Sequence, residues 1–223
     1  MSETITGMGS NESVVSVPRA SRPARIDGRR LRSERTRQLI IEAYLALLRE
    51  NPVVPLPTAA QIAKRAGYSV RSVFERFPDL GKLRVAAADY ALAQAAALAP
   101  PRNIDGDRPT RIRSQVETRA GTCERGIALW RVLIASAAED DELKDRVRIS
   151  RERTIERLEI MYRPELSTLS DQERKYMLIA LEAITEIESW ARMREQHGLS
   201  VDQACAVWIS AIDRMLPPTP QAA

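Results

Sequence analysis

The densest run of side chains able to make directional polar contacts lies between Thr58 and Lys82, TAAQIAKRAGYSVRSVFERFPDLGK. Lys64, Arg65, Arg76 and Lys82 supply cations, Thr58, Tyr68, Ser69 and Ser72 supply hydroxyls, and Arg71 supplies a planar fork of five donors. This set suits a polyanion: a guanidinium fork pairs with guanine O6 and N7, while lysine, hydroxyl and backbone N–H groups hold phosphates. Bond-making chemistry finds no comparable cluster. His197, the single histidine, adjoins Gly198 and reads as a helix-end residue favourable to the dipole. Cys123 and Cys205 are far apart, without metal-ligand spacing. The run Glu139-Asp-Asp-Glu142 resembles a metal-binding acid cluster, but negative charge opening a helix is the simpler account. With no phosphate-binding Gly loop, nucleophile elbow or zinc-protease motif, the expectation is no catalytic residue, no metal and no cofactor.

The elements that must position the run are helical. Thr58 and Gln61 form a capping box ahead of Ile62, Ala63 and Ala66, and Gly67 suits the left-handed closing residue. Ser69 caps a second short helix that Pro78 ends, with Val73, Phe74 and Phe77 expected on its inner face and Val70, Arg71 and Glu75 outward. Ser33 is expected to cap an earlier helix carrying Ile40, Ala43, Tyr44, Leu47 and Leu48 to just before Pro52. Asp79 caps a long alanine-rich helix to Leu98, which holds the domain joint. Helices are then expected over about 110–120, 122–138 and 141–163, followed by one from a Ser170/Glu173 capping box to His197-Gly198 and one from a Ser200/Gln203 box to Pro217.

A helix-turn-helix needs small residues at the crossing, a Gly-permissive turn, a cap and a polar outer face, and Ala63, Gly67, Ser69 and Arg71 meet those needs. The pattern of Ile62, Ala63, Ala66, Gly67, Ser69, Val73, Phe74, Phe77, Pro78 and Leu83, about 20 residues after the start of a capped helix, resembles the DNA-binding domain of the tetracycline-repressor (TetR) family over roughly residues 33–86. The resemblance implies an all-α chain: a basic, disordered arm over 1–32, a three-helix DNA-binding domain over 33–84, and a helical regulatory and dimerisation domain over 85–223. It implies double-stranded DNA as partner, with Thr58, Lys64, Arg65, Tyr68, Ser69, Val70, Arg71, Ser72, Glu75, Arg76 and Lys82 at the interface and Arg71 the base-reading candidate. Phe74 stands where many members carry a tyrosine that touches phosphate, and Leu80 where a lysine commonly opens the fourth helix, so Lys82 or Arg84 takes over.

Reading a useful length of DNA calls for two recognition helices on an inverted repeat. The resemblance implies a homodimer through the last two helices, with Leu181, Ile184, Trp190, Val201, Trp208, Ile212 and Met215 as interface residues; the alternative is that both stripes are intramolecular core. It also implies a small-molecule effector, with Trp130, Met161, Tyr162 and Met193 as conceivable pocket residues, and release of DNA when it binds. A helical small-molecule or protein-interaction module with a degenerate helix-turn-helix stays open as the other reading.

Bulk properties agree. The hydrophobic share of 44% supports a core, and 4% aromatics with abundant alanine, leucine and arginine favour helices. Of the net charge of +4, residues 19–37 alone carry eight arginines against Asp27 and Glu34, so the basic character is N-terminal. Arg29, Arg30 and Arg32 are placed to reach a minor groove as an arm, or to serve as a solubilising tail. No stretch reads as a membrane span or signal peptide, which points to the cytoplasm.

Overall fold

The computed structural model describes residues 28–50 and 56–221. In chain order the helices are α1 (Gly28–Glu50), α2 (Ala59–Ala66), α3 (Val70–Arg76), α4 (Leu80–Leu98), α5 (Arg108–Ser136), α6 (Asp141–Met161), α7 (Arg163–Leu166), α8 (Asp171–Ile184), α9 (Ile187–Ala191), a π-helical turn (Arg192–Gln196) and α10 (Val201–Met215). No strand occurs among the described residues.

Side-chain caps set most of the starts. Thr58, Ser170 and Ser200 each close a reciprocal capping box with Gln61, Glu173 and Gln203, and Asp79 accepts from the Lys82 N–H at 2.8 Å. Such caps stabilise by about 1 kcal/mol each. The acidic run near 140 acts as a helix start: Asp140 accepts from the Glu142 and Leu143 N–H groups, with Asp141 and Glu142 in the first turn.

Several expectations of the sequence are corrected. The first helix begins at Gly28, so Ser33 lies inside it and caps nothing. The arm expected over 1–32 falls on residues 1–27, outside the described residues, and on the first helical turn of α1. The helices expected either side of Gly121 are one 29-residue helix, because packing of Ala120, Cys123 and their neighbours outweighs a penalty of about 1 kcal/mol for an internal glycine. Conversely, the helix expected from Ser170 to His197 is broken at Thr185-Glu186. There the buried Thr185 hydroxyl turns back to the Leu181 carbonyl at 2.7 Å, and Arg119 of α5 donates to the Thr185 carbonyl at 2.8 Å. These bonds substitute for the interrupted ladder.

Ile40, Tyr44 and Leu48 of α1, Ile62 and Ala63 of α2, Val73 and Phe77 at α3, and Leu83 of α4 form the N-terminal part of one hydrophobic core that continues into the rest of the chain. Helix α5 is the axis of the remainder, packing on α6, α9 and α10 and also touching α1 and α4. A buried ion pair locks one end of it. Arg111 pairs with the wholly buried Glu165 and donates to the Met161 carbonyl at 3.0 Å, while Thr219 donates to Glu165 from the C-terminal tail.

Candidate nucleic-acid interface

Gly67 takes φ 76°, ψ 28°, and a Cβ there would meet nothing within 4 Å, so glycine is required by backbone conformation and not by crowding. The turn releases the chain into an extended Ser69, whose hydroxyl accepts from the Ser72 N–H at 3.1 Å and starts α3. Val73 and Phe77, four apart, bury the inner stripe of α3. Phe74 is a correction: one residue, or 100°, past Val73, it turns outward and is 45% exposed beside exposed Val70. An outward aromatic without a hydroxyl offers a flat apolar contact where a tyrosine would offer a hydrogen bond.

Arg71 projects into solvent, its side chain 88% exposed. Its Nε donates to Glu75 Oε1 at 3.0 Å, one turn on, so Glu75 orients the guanidinium while the terminal nitrogens face solvent. Thr58, Lys64, Tyr68 and Ser69 are also exposed, and Ser72 is half-buried. Arg37, which sequence reading passed over, braces the element: its guanidinium lies 4.4 Å above the Phe77 ring and its Nη1 donates to the Arg76 carbonyl at 3.2 Å. The signal was available as an arginine one turn before the buried Ile40–Ile41 pair. Thr36 donates to the Tyr68 hydroxyl at 3.4 Å, which sets the arginine-bearing start of α1 beside the Gly67 turn. Arg29, Arg30 and Arg32 are therefore exposed helical residues and not an extended arm.

Two of the expected phosphate cations are otherwise engaged, and a third is partly withdrawn from solvent. Arg65 holds Glu50 through two bonds of 2.5 and 2.9 Å, which keeps the Glu50 carboxyl below its usual range. Arg76 is half-buried with an unpartnered Nε. Lys82, its pKa raised by the hydrogen bond, pairs with Glu142 of α6, and Arg146 of α6 pairs with Asp89 of α4 at 3.0 Å. Two ion pairs thus join α6 to the helix that carries the helix-turn-helix.

A cavity of about 130 Å³ lies among α1, α4, α5, α6 and α9, lined by Leu45, Leu98, Leu129, Trp130 and Leu133 with arginines at its edge. Of the four residues expected at a pocket, Trp130 lines this cavity. Met161, Tyr162 and Met193 are buried in the core and line neither this cavity nor its neighbours; burial holds the Tyr162 hydroxyl far above its usual range.

The expected dimer residues are also redistributed. Leu181, Trp190, Trp208 and Ile212 are buried within the chain, Ile184 and Met215 are half-buried, and only Val201 is exposed. The tryptophans pack on each other, ring centres 4.8 Å apart and tilted by 48°, and Trp190 Nε1 donates to Glu124 at 2.7 Å. The outward large apolar residues of this region are Tyr176 and Ile179 on α8 and Val201 and Val207 on α10. Among the described residues, no helix is long and apolar enough to cross a membrane and no cluster of three or more His, Cys, Asp or Glu suits a metal ion.

No protein-family model and no curated protein sequence matches the chain. Solved structures do. A transcriptional regulator from Rhodococcus sp. Rha1 superposes with a TM-score of 0.64 at 15% identity, over 82% of this chain and 99% of that one. A TetR transcription regulator from Haloarcula marismortui gives 0.62 at 16% identity, over 82% and 97%. The multidrug binding protein EbrR complexed with imidazole gives 0.58 at 18% identity, over 93% and 100%. The chain has the all-helical fold of these regulators, helix-turn-helix and helical C-terminal region together.

Proposed function

We propose that this chain is a sequence-specific DNA-binding transcriptional regulator of the TetR type, a cytoplasmic, non-enzymatic homodimer released from an inverted-repeat operator by a small molecule. The observation that carries the reading is α3: a capped seven-residue helix, buried along Val73 and Phe77, that projects Arg71 and Phe74 from a surface flanked by the arginines of α1. In this reading Arg71 pairs with a guanine edge, Lys64, Tyr68, Ser69 and the α1 arginines hold phosphates, and the α4 N-terminus adds backbone donors. The DNA-binding unit runs to about residue 84 and the regulatory unit follows, with α4 belonging to both.

Two copies meet through the outer faces of α8 and α10, Tyr176, Ile179 and Val207, and not through the tryptophans. Effector binding in the 130 Å³ cavity acts on DNA through α4, to which α6 is tied by Lys82–Glu142 and Arg146–Asp89. EbrR complexed with imidazole is a protein of this fold holding a small molecule, which supports the effector role. Selection from a random duplex library at low and near-physiological salt tests the reading. Enrichment of an inverted repeat is expected; no enrichment at either salt by the folded protein refutes it in favour of a ligand-binding or interaction module.

A further inference from the structure

Beside the cavity, and sharing Leu92, Ala95, Thr122 and Ser150 with it, lies a second cleft of about 400 Å³ between α4, α5 and α6. Its polar lining is strongly one-sided. Arg119, Arg153 and Arg157 all face it, yet none is paired with a carboxylate among the described residues: Arg119 donates to the Thr185 carbonyl, Arg153 to the Leu92 carbonyl at 3.3 Å, and Arg157 to Gln115 Oε1 at 2.5 Å and to the carbonyls of Ala99 and Pro100. Glu156, the acid in the lining, is exposed and pairs with none of them. Elsewhere in the chain comparable arginines, such as Arg111, Arg131, Arg146 and Arg194, do hold carboxylates. Burial lowers the pKa of Arg157, and its neighbours Arg102 and Arg119 lower it further against an opposing effect of Tyr162, so Arg119 and Arg157 disfavour each other's charge.

The wall also has a spare donor. Gln115 is 1% exposed, its Oε1 is taken by Arg157, and its Nε2 has no partner. An unsatisfied buried donor is destabilising, and guanidiniums without a counter-charge add repulsion. Both are relieved by a single negatively charged acceptor. The adjoining cavity is apolar and close to the ~150 Å³ that holds a benzene ring.

We infer that cavity and cleft form one site for an amphipathic organic anion, with a ring-sized apolar end against Leu98, Leu129 and Trp130 and its carboxylate or phosphate between Arg119, Arg153 and Arg157. The inference rests on the reading of the cavity as the effector site and names the effector's chemical class.

Calorimetric titration with 4-phenylbutyrate, 4-phenylbutyl phosphate, 4-phenylbutyramide and 4-phenylbutylamine holds the apolar part constant and varies the head group. One or both anions bind, and the preferred one names the head group; the amide binds at least about tenfold more weakly and the amine more weakly still. Arg153→Gln, at an exposed residue whose loss leaves the thermal midpoint unchanged, weakens the anion about tenfold and leaves the amide unaffected; Arg119→Gln also weakens the anion about tenfold without affecting the amide, with a lower thermal midpoint because the bond to the Thr185 carbonyl is lost. Anions that fail to bind, an amide or amine that binds as tightly, or two arginine variants with unchanged anion affinity overturn the inference. The duplex selection separates it from the parent reading: an inverted repeat selected without anion binding removes the inference alone, whereas anion binding by a protein that selects no DNA removes the regulator alone.

Discussion

Val207 and Trp208 are neighbours in sequence with opposite assignments, and two substitutions separate them. Trp208 is 2% exposed and packed on Trp190, whereas Val207 is 47% exposed on the outer face of α10. Trp208→Ala removes a large core side chain, and the expected cost is about 3–5 kcal/mol. Against a total stability of roughly 5–15 kcal/mol that is a shift easily read in a urea melt, and it is a folding defect. Val207→Glu leaves the core untouched. In a two-fold dimer the new carboxylate occurs twice in one apolar patch, and with each unpaired charge costing about 3 kcal/mol the association weakens by roughly 10⁴-fold. A dimer with a nanomolar constant then separates at micromolar protein. Sedimentation velocity of Val207→Glu should give a monomer with native circular dichroism and an unchanged denaturation midpoint extrapolated to low protein concentration. A Val207→Glu protein that still sediments as a dimer removes the α8/α10 outer face from the assembly.

Four further outcomes are expected. Arg71→Ala weakens specific DNA binding by about 1–3 kcal/mol and relaxes preference at one base position, measured by fluorescence anisotropy on single-base operator variants; unchanged preference removes Arg71 from the readout. Replacing Arg29, Arg30 and Arg32 by glutamine flattens the dependence of DNA affinity on salt, by about one in logarithmic slope for each phosphate no longer neutralised, and an identical slope makes that turn of α1 a bystander. Glu165→Ala strands the buried Arg111 guanidinium, costs about 3–5 kcal/mol and lowers the thermal midpoint by about 6–20 °C, and a change under about 2 °C would show that the pair is dispensable. Burial pushes the Cys123 thiol up to about 11, so at pH 8 it stays protonated and iodoacetamide should label the half-buried Cys205 first, by intact mass; early labelling of Cys123 would contradict its burial.

Local chemistry was the legible part of this sequence. Thr58, Ser69, Asp79, Ser170 and Ser200 each mark a helix start because a cap involves residues three apart, and Gly67 marks the turn because its conformation is a property of one residue. Arg71 projects as expected for the same reason: its position follows from a seven-residue helix whose inner stripe is unambiguous. Contacts between distant segments were not legible. Nothing near Thr185 announces a helix break, since its causes are a back-bonded hydroxyl and a guanidinium from residue 119. The stripes with Trp190 and Trp208 are the stronger ones in α9 and α10, and a periodic pattern does not say whether its partner is the same chain or another copy. The weaker second stripe, Tyr176, Ile179 and Ala183 at i, i+3 and i+7, is the one that the folded chain leaves outward. The arginine cleft was hidden too, because its cations come from α5 and α6 and their lack of carboxylate partners exists only after folding.

Helix α4 has nineteen residues and is continuous from the Asp79 cap to Ala99, with no proline or internal break to absorb bending. A straight helix of that length spans about 28 Å. One end follows directly on α3 and the other forms a wall of the apolar cavity. Treated as a lever, a tilt of about 5° about the cavity end swings the far end by roughly 2.5 Å. Hydrogen bonds to base edges tolerate only about half an ångström. On the proposed reading, a molecule no larger than a substituted benzene would thus have enough mechanical advantage to move a recognition helix off its bases, and the stiffness of the rod, more than the size of the ligand, would set the displacement at the far end.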